Sequence, residues 1–239
     1  MRRFFVTPPK EGSLEQFSFE REETRHMQKV LRLSVSDEIN VFDGRGNEYR
    51  CVIEEFLNKQ ALARIITQVE PTCPESSLEL TLAVALIKGE KFDLVIQKAV
   101  ELGVTELIPI STIRSDVKAK NIQRKLERWR KIIIEASKQC GRATLMRLSE
   151  PSDYDYAVRT SEGSRVLFSE REGVAFSSLE QDKKITALVG PEGGWDDVEI
   201  ELARNNGFQV VTLGGRILRA ETAVISVAAL LQNHFGDLN

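Results

Sequence analysis

The chain has 239 residues, enough for one domain or two, since domains usually run to about 100–200 residues. A formal net charge of −3 gives no global sign of a polyanionic partner, and three scattered cysteines, Cys51, Cys73 and Cys140, argue against both a disulfide framework and a zinc site. With no N-terminal apolar segment of the signal type and no run of about 18 apolar residues, the chain reads as soluble and cytoplasmic, with neither a membrane nor a metal partner.

In chain order, Arg2 to Val6 reads as a strand and Glu22 to Leu31 as one short helix. Asp37 to Phe56 alternates apolar and polar residues on both sides of Asp43 to Asn47, the pattern of a β-hairpin. Ala61 to Glu70 supplies a further strand, and several short strands with one helix suggest a small barrel. Pro71 to Ser77, with its two prolines and small polar residues, reads as a linker, so domains are expected at 1–72 and 73–239.

Beyond the linker, buried-looking runs alternate with helices. Leu80 to Ile87 is apolar on both faces, as a strand inside a parallel sheet must be. Glu90 to Leu102 puts Phe92, Val95, Ile96, Ala99 and Val100 on one helical face, and Gly103 ends it. Val104 to Ile110 is the next strand, followed by a long helix from about Ile122 to Gln139. Strands at Val166 to Ser169, Ile185 to Val189 and Gln209 to Leu213 precede a last helix, Thr222 to His234. This alternation argues an α/β class with a mainly parallel sheet. The long helix sits in a basic stretch: residues 111–147 carry eleven cations and three anions, a local excess of +8, against −4 before it and −7 after. Such a patch is the footprint of a phosphate-contact surface, or else a solvated amphipathic face.

Two glycine-rich turns near the C-terminus are the most informative feature. Ile185 to Asp197 reads ITALVGPEGGWDD, and Val210 to Ala223 reads VVTLGGRILRAETA. Each turn ends an apolar strand and precedes a helix, so backbone amides are free and nothing bulky keeps a ligand away. Ligands of open α/β sheets bind outside the carboxyl ends of strands, and two such turns mark one shared crevice. The chain has no GxxxxGK[ST] and no GxGxxG, which weakens nucleoside-triphosphate and dinucleotide readings. Backbone donors without a dedicated cation suit a nucleoside-like or sulfonium ligand.

The blocks GPEGGW and LGGRILRAETA, with LVIQKAVELGV, RSDVK, ERWRKIIIEASKQCGR and RHMQKVLRL upstream, resemble the ribosomal RNA small subunit methyltransferase E family. The likeness is collinear and runs from Met1 to about Phe235. It implies a SPOUT-type, trefoil-knotted methyltransferase domain of mainly parallel sheet behind a PUA-like β-barrel that binds RNA. It also implies S-adenosylmethionine as cofactor, N3 of a 16S rRNA uridine as acceptor, a 30S subunit context and a homodimer. In the knot, the chain around Leu213 to Thr222 passes beneath an earlier segment. Two departures stand out: Met27 replaces a leucine in the block around His26, and the proline usual near Met146 is missing.

Methylating uridine N3 requires that the N3/O4 anion be favoured as the methyl group moves, and a cation or directed donor does this. Arg219 is the candidate for that role; its alternative is a helix-entry arginine paired with Glu221 or another carboxylate. Glu192 is the candidate proton acceptor or ribose contact, and otherwise an acid at a helix N-terminus. By the family pattern, Gly190, Gly194, Leu213, Gly214, Ile217, Leu218 and Thr222 bind the cofactor. Arg25, His26, Lys29 and Arg32 would grip RNA phosphates, with Arg114, Lys118, Arg128, Lys138 and Arg142 as a second surface. Trp195 either stacks on an extruded base or packs beside the helix start, and His234, the other histidine, caps the last helix. The apolar last helix supplies part of a dimer interface or ordinary core. Two rivals remain at this level: a non-catalytic RNA-binding assembly factor, and a ribose 2′-O-methyltransferase.

Overall fold

A computed structural model of the protein describes residues 2–7, 15–115 and 122–238. The chain divides into two compact units, the first made of Met1–Glu75 with Ser137–Leu145, the second of Ser76–Ala136 with Met146–Asn239. The first unit is therefore discontinuous in sequence.

In that unit β1 (Arg3–Phe5), β2 (Gln16–Phe19), β3 (Glu38–Phe42), β4 (Glu48–Leu57) and β5 (Gln60–Val69) form one five-stranded sheet, in the order β1-β3-β4-β5-β2. The hairpin read from the sequence is β3 and β4, paired from Glu38↔Val52 to Phe42↔Glu48. Its turn is organised by Asp43, whose Oδ1 accepts from the amides of Arg45 (2.7 Å) and Asn47 (3.1 Å). Two register shifts between β4 and β5 mark bulges, which bend a sheet. The expected barrel is not closed: β1 and β2 are the two edges, and no pairing joins them among the described residues. Phe4, Phe17, Phe19, Met27, Ile39, Val41 and Ile53 fill the inner face. The single helix expected at 22–31 is two pieces, α1 (Arg21–Arg25) and a π-helical turn, His26–Val30, which buries Met27 and leaves His26 and Lys29 exposed.

A buried ion pair fixes this unit. Glu48 is fully buried and accepts from Arg3 Nε and Nη2, both at 3.0 Å, and from Asn40 Nδ2 at 3.0 Å. Arg3 Nη1 donates to the Ser137 carbonyl at 2.6 Å, and its guanidinium lies 4.1 Å from the Phe42 ring centroid. Bridges from Gly44 and Arg45 to Thr144, and from Cys73 to Arg142, hold the 137–145 segment to the same unit.

The second unit is an eight-stranded, wholly parallel sheet. Its strands are β6 (Glu79–Ala85), β7 (Glu106–Ser111), β8 (Arg147–Leu148), β9 (Ser152–Asp153), β10 (Ser164–Phe168), β11 (Val174–Ala175), β12 (Lys184–Val189) and β13 (Gln209–Thr212). They run in the order β11-β13-β10-β12-β6-β7-β8, with β9 also on β7. Central β6 is buried on both faces, as its unbroken apolar run requires. The helices are α2 (Lys91–Glu101), α3 (Ile122–Cys140), α4 (Tyr154–Thr160), α5 (Asp197–Asn205) and α6 (Ala220–Phe235). The face of α2 that is buried is Phe92, Val95, Ile96, Ala99 and Val100, the set its periodicity names. In α6, Val224, Val227, Ala228 and Leu231 are core, while Leu230 remains 38% exposed. Gln232 pins α6 by donating to the Gly103 carbonyl (3.0 Å) and accepting from Ser76 Oγ (2.7 Å). None of the three cysteines is in a disulfide, and burial pushes the Cys51 thiol up to about 12. No described helix is long and apolar enough to cross a membrane.

Glu48→Ala leaves the Arg3 guanidinium buried without its counter-charge, a change that costs about 3–5 kcal/mol when a buried pair is broken from one side. The expected outcome is a lower urea midpoint for the first unit, with Glu48→Gln falling less because it retains acceptors for Arg3 and Asn40.

Candidate active site

Strands β13, β10 and β12 are neighbours in one parallel sheet, so their carboxyl ends, Thr212, Phe168 and Val189, lie at one edge. Both glycine turns leave from that edge. They enclose a cavity of about 240 Å³, lined by Phe168, Ser169 and Glu170 after β10, Gly190 to Gly194 after β12, and Leu213, Gly214, Arg216, Ile217 and Leu218 after β13. Ala220, Ala223 and Val227 of α6 close its floor.

The first turn is built on a tryptophan. Trp195 is fully buried, donates from Nε1 to the Phe168 carbonyl at 2.8 Å and packs its ring 5.3 Å from that of Tyr154. A Cβ on Gly190 would stand 3.0 Å from Trp195 Cε2, so the backbone can cross the indole there only without a side chain. Gly194 has φ +69, and a Cβ on it would collide with the Glu170 carboxylate. Behind the turn, α5 starts on a capping box: the Asp196 side chain accepts from the Val198 amide (3.3 Å), and the Glu199 carboxylate accepts from the Asp196 amide (2.9 Å). Glu199, itself buried, also accepts from the Ile113 amide at 2.8 Å. Tyr154 donates to the Glu199 carbonyl (2.6 Å), and burial raises the pKa of its hydroxyl.

Of the residues expected at the cofactor, Gly190, Gly194, Leu213, Gly214, Ile217 and Leu218 line the cavity together, while Thr222 is exposed and lies outside its wall. Glu192 lines the cavity, and its Oε1 accepts from Lys91 Nζ at 2.8 Å. Arg219 is the exposed N-cap residue of α6, between the wall residues Leu218 and Ala220, and has no ion-pair partner among the described residues. It is thus not the helix-entry pair with Glu221 that its spacing allows. Trp195 is core and unavailable for stacking on a base. His234 packs edge-on against Phe235 and Phe176, at 4.5 and 5.7 Å. Sequence reasoning missed Glu170, Arg216 and Lys91; the last two sit in blocks that were noticed for other residues.

The basic stretch changes meaning once its partners are seen. Arg142 is 3% exposed and donates to Glu75 through Nε and Nη2, so it drops out of the expected RNA surface. Lys138 is held by Glu23 at 3.0 Å, and Arg128 by Asp93 and Glu90. Arg114 braces the first glycine turn, donating to the Gly193 carbonyl (3.3 Å) and Asp196 (3.2 Å). Lys118 lies outside the described residues. The exposed α3 cations with no partner among the described residues are Arg124, Arg130 and Lys131; on the first unit they are Arg21, Arg25, Lys29, Arg32, Arg45 and Lys59, of which Arg25, Lys29 and Arg32 flank the exposed His26. No described group of His, Cys, Asp and Glu could hold a metal ion.

Residues 74–232 match the RNA methyltransferase domain family, and residues 19–66 match the RNA methyltransferase PUA domain. The chain is 36% identical to the ribosomal RNA small subunit methyltransferase E of Synechocystis, covering 87% of this chain and 71% of the relative. Two solved structures superpose over the full length. One is a Legionella pneumophila methyltransferase in complex with bound SAM, with TM-score 0.91, 33% identity and 99% of each chain covered. The other is the ribosomal RNA small subunit methyltransferase E of Neisseria gonorrhoeae bound to S-adenosyl methionine, with TM-score 0.90, 32% identity and 100% of each chain covered.

Gly190→Ala places its new methyl group 3.0 Å from the buried indole, closer than ordinary contact, and overpacking of this kind costs about 1–3 kcal/mol. Urea denaturation followed by tryptophan fluorescence should show that loss, with the native emission of Trp195 altered before unfolding begins.

Proposed function

The chain belongs to the ribosomal RNA small subunit methyltransferase E family, and from that membership we propose that it transfers a methyl group from S-adenosylmethionine to N3 of a uridine in 16S rRNA. The observation that carries this reading is the two-turn crevice with a guanidinium, Arg219, at its rim that has no ion-pair partner among the described residues. The crevice fits the donor. Gly190 and Gly194 leave backbone bare where a side chain would intrude. Leu213, Ile217, Leu218 and Val227 offer apolar surface to an adenosine, and the Glu170 and Glu192 carboxylates complement the positive charge of a sulfonium amino acid. We keep Gly190, Gly194, Leu213, Gly214, Ile217 and Leu218 as the cofactor residues.

When bound, S-adenosylmethionine supplies a methyl group already activated on sulfur. The chain's own part is alignment and charge stabilisation. Arg219 donates to the N3/O4 anion that the uridine becomes as its N3 proton leaves, and Glu192 accepts that proton. The base is extruded to reach the crevice, because a paired or stacked uridine presents no free N3. Arg25, His26, Lys29 and Arg32 on the first unit, and Arg124, Arg130 and Lys131 on α3, meet phosphates without first giving up a carboxylate.

Residues 1–72 are read as the PUA-like RNA-binding domain and 73–239 as a SPOUT methyltransferase domain, whose Leu213 to Thr222 segment is threaded as a trefoil knot. Threading of that kind would hold the second turn rigid before any ligand arrives. The assembled enzyme is read as a cytoplasmic homodimer acting on rRNA within the 30S subunit, with the part-exposed Leu230 of α6 as one candidate for the interface.

Mass spectrometry of 16S rRNA from cells with and without the gene should show one N3-methyluridine lost on deletion; unchanged uridine methylation overturns the assignment. In purified enzyme, Arg219→Ala should lower kcat by about 10²–10³-fold, the loss typical of a missing charge-stabilising donor. A wild-type rate in that variant removes Arg219 from the reaction. Calorimetry should show the same variant binding S-adenosylmethionine normally.

A further inference from the structure

Four charged groups meet where the N-termini of α2 and α6 approach the first glycine turn. Lys91 opens α2, Glu192 stands in the turn, Arg219 caps α6 and Glu221 lies in the first turn of α6. Two acids and two bases would ordinarily pair off, and the natural mate for a guanidinium is the bidentate carboxylate two residues away. That is not the arrangement. Lys91 Nζ lies 2.8 Å from Glu192 Oε1 and 3.7 Å from Glu221 Oε2, so one ammonium faces both acids. Glu221 Oε2 is buried and accepts no hydrogen bond from any described residue, which leaves Lys91 as its charge compensation. Arg219 is near enough to oppose the charge of Lys91, yet no carboxylate among the described residues pairs with it.

The chemistry of the two cations explains the division. An ammonium is a compact point charge that can serve two carboxylates with separate donors, whereas a guanidinium is a planar fork that one carboxylate would occupy completely. We propose that Lys91 is a positioning residue for methyl transfer: by drawing Glu192 and Glu221 to itself, it keeps the Arg219 fork unpaired and open to the anionic oxygen of the acceptor base. This rests on the role given to Arg219 above.

Lys91 is suited to a permanent charge. The hydrogen bond that Lys91 donates to Glu192, and the fields of Glu192 and Glu221, raise its pKa against the opposing effects of desolvation and Arg219. It is 39% exposed, as is Glu192 at 38%, and a pair so open to water adds little to folding. What Lys91 contributes is therefore the direction in which two carboxylates point. Nothing else described on α2 does this: its other cation, Lys98, is held by Glu101 at 2.7 Å.

The test is a set of variants assayed by methyl incorporation into 30S particles that lack the modification, with donor binding followed separately by calorimetry. Lys91→Met should lower kcat at least tenfold while the Kd for S-adenosylmethionine and the melting temperature stay within twofold and about two degrees of wild type. Lys91→Arg, which keeps the charge but offers a fork that one carboxylate fills, should recover only part of the rate. In Lys91→Met with Glu221→Gln, one of the two competing charges is gone, only Glu192 still competes for Arg219, and kcat should rise several-fold above the single variant. In an Arg219→Ala background, Lys91→Met should cost less than twofold. A wild-type kcat for Lys91→Met, no recovery in the double variant, or a full additional loss on top of Arg219→Ala overturns the proposal. A normal rate for Arg219→Ala alone sinks the earlier reading of Arg219 itself; a slow Arg219→Ala beside a normal Lys91→Met sinks only the part given to Lys91.

Discussion

The indole of Trp195 is the fixed point of the second unit. Its N–H reaches from the turn after β12 to the last carbonyl of β10, so two neighbouring strands are tied together at the edge where their amides and carbonyls would otherwise be loose. Because the ring is fully buried, it cannot swing, and the chain must cross it at a residue without a Cβ. Gly190 follows from Trp195, the turn follows from Gly190, and the capped start of α5 follows one residue later at Asp196. Arg171 completes the lock by donating to the Trp195 carbonyl at 2.7 Å and to Asp197 at 2.9 Å. A crevice wall made of backbone, held in this way, needs little reorganisation when a ligand arrives.

Much of the second unit could be read from the sequence because its signals are local. The α2 face was legible residue by residue, and the β12 and β13 runs end where their glycines begin. Helix α4, seven residues long, has too few turns for a periodicity, and β8, β9 and β11 have two residues each. In the first unit, β2 is four residues long and precedes a helix that turns π-helical midway, a change that hydrophobic spacing does not encode. The claim of Ser137–Leu145 on the first unit rests on long-range contacts such as Arg3 to Ser137, across 134 residues of sequence, and Gly44 and Arg45 to Thr144. No window-based reading contains such a contact.

The candidate site divides along the same line. Its backbone parts, the two glycine turns, were visible as motifs, whereas its charge relations were not. Lys91 and Glu192 are separated by 101 residues, and only the parallel stacking of β6 beside β12 brings the elements that carry them together. Arg219 and Glu221, two residues apart, look like a pair in sequence and are not one in space.

That contrast bears on how charge in a sequence should be weighed. A stretch with a local excess of +8 suggests a continuous basic surface, yet Arg114, Arg128, Lys138 and Arg142 within it are all engaged by carboxylates from elsewhere in their own units. A cation already held by a carboxylate must surrender that partner before it can neutralise a phosphate, so its net contribution to RNA binding is the difference between two similar energies. A cation facing only water gives up no such partner and gains from counterion release. Cations facing only water, such as Arg124, Arg130 and Lys131 of α3 and Arg25, Lys29 and Arg32 around the π-helical turn, are therefore the ones that the proposed function calls on to meet phosphates. The same reasoning underlies the role proposed for Arg219, whose neighbouring acid Glu221 faces Lys91 instead.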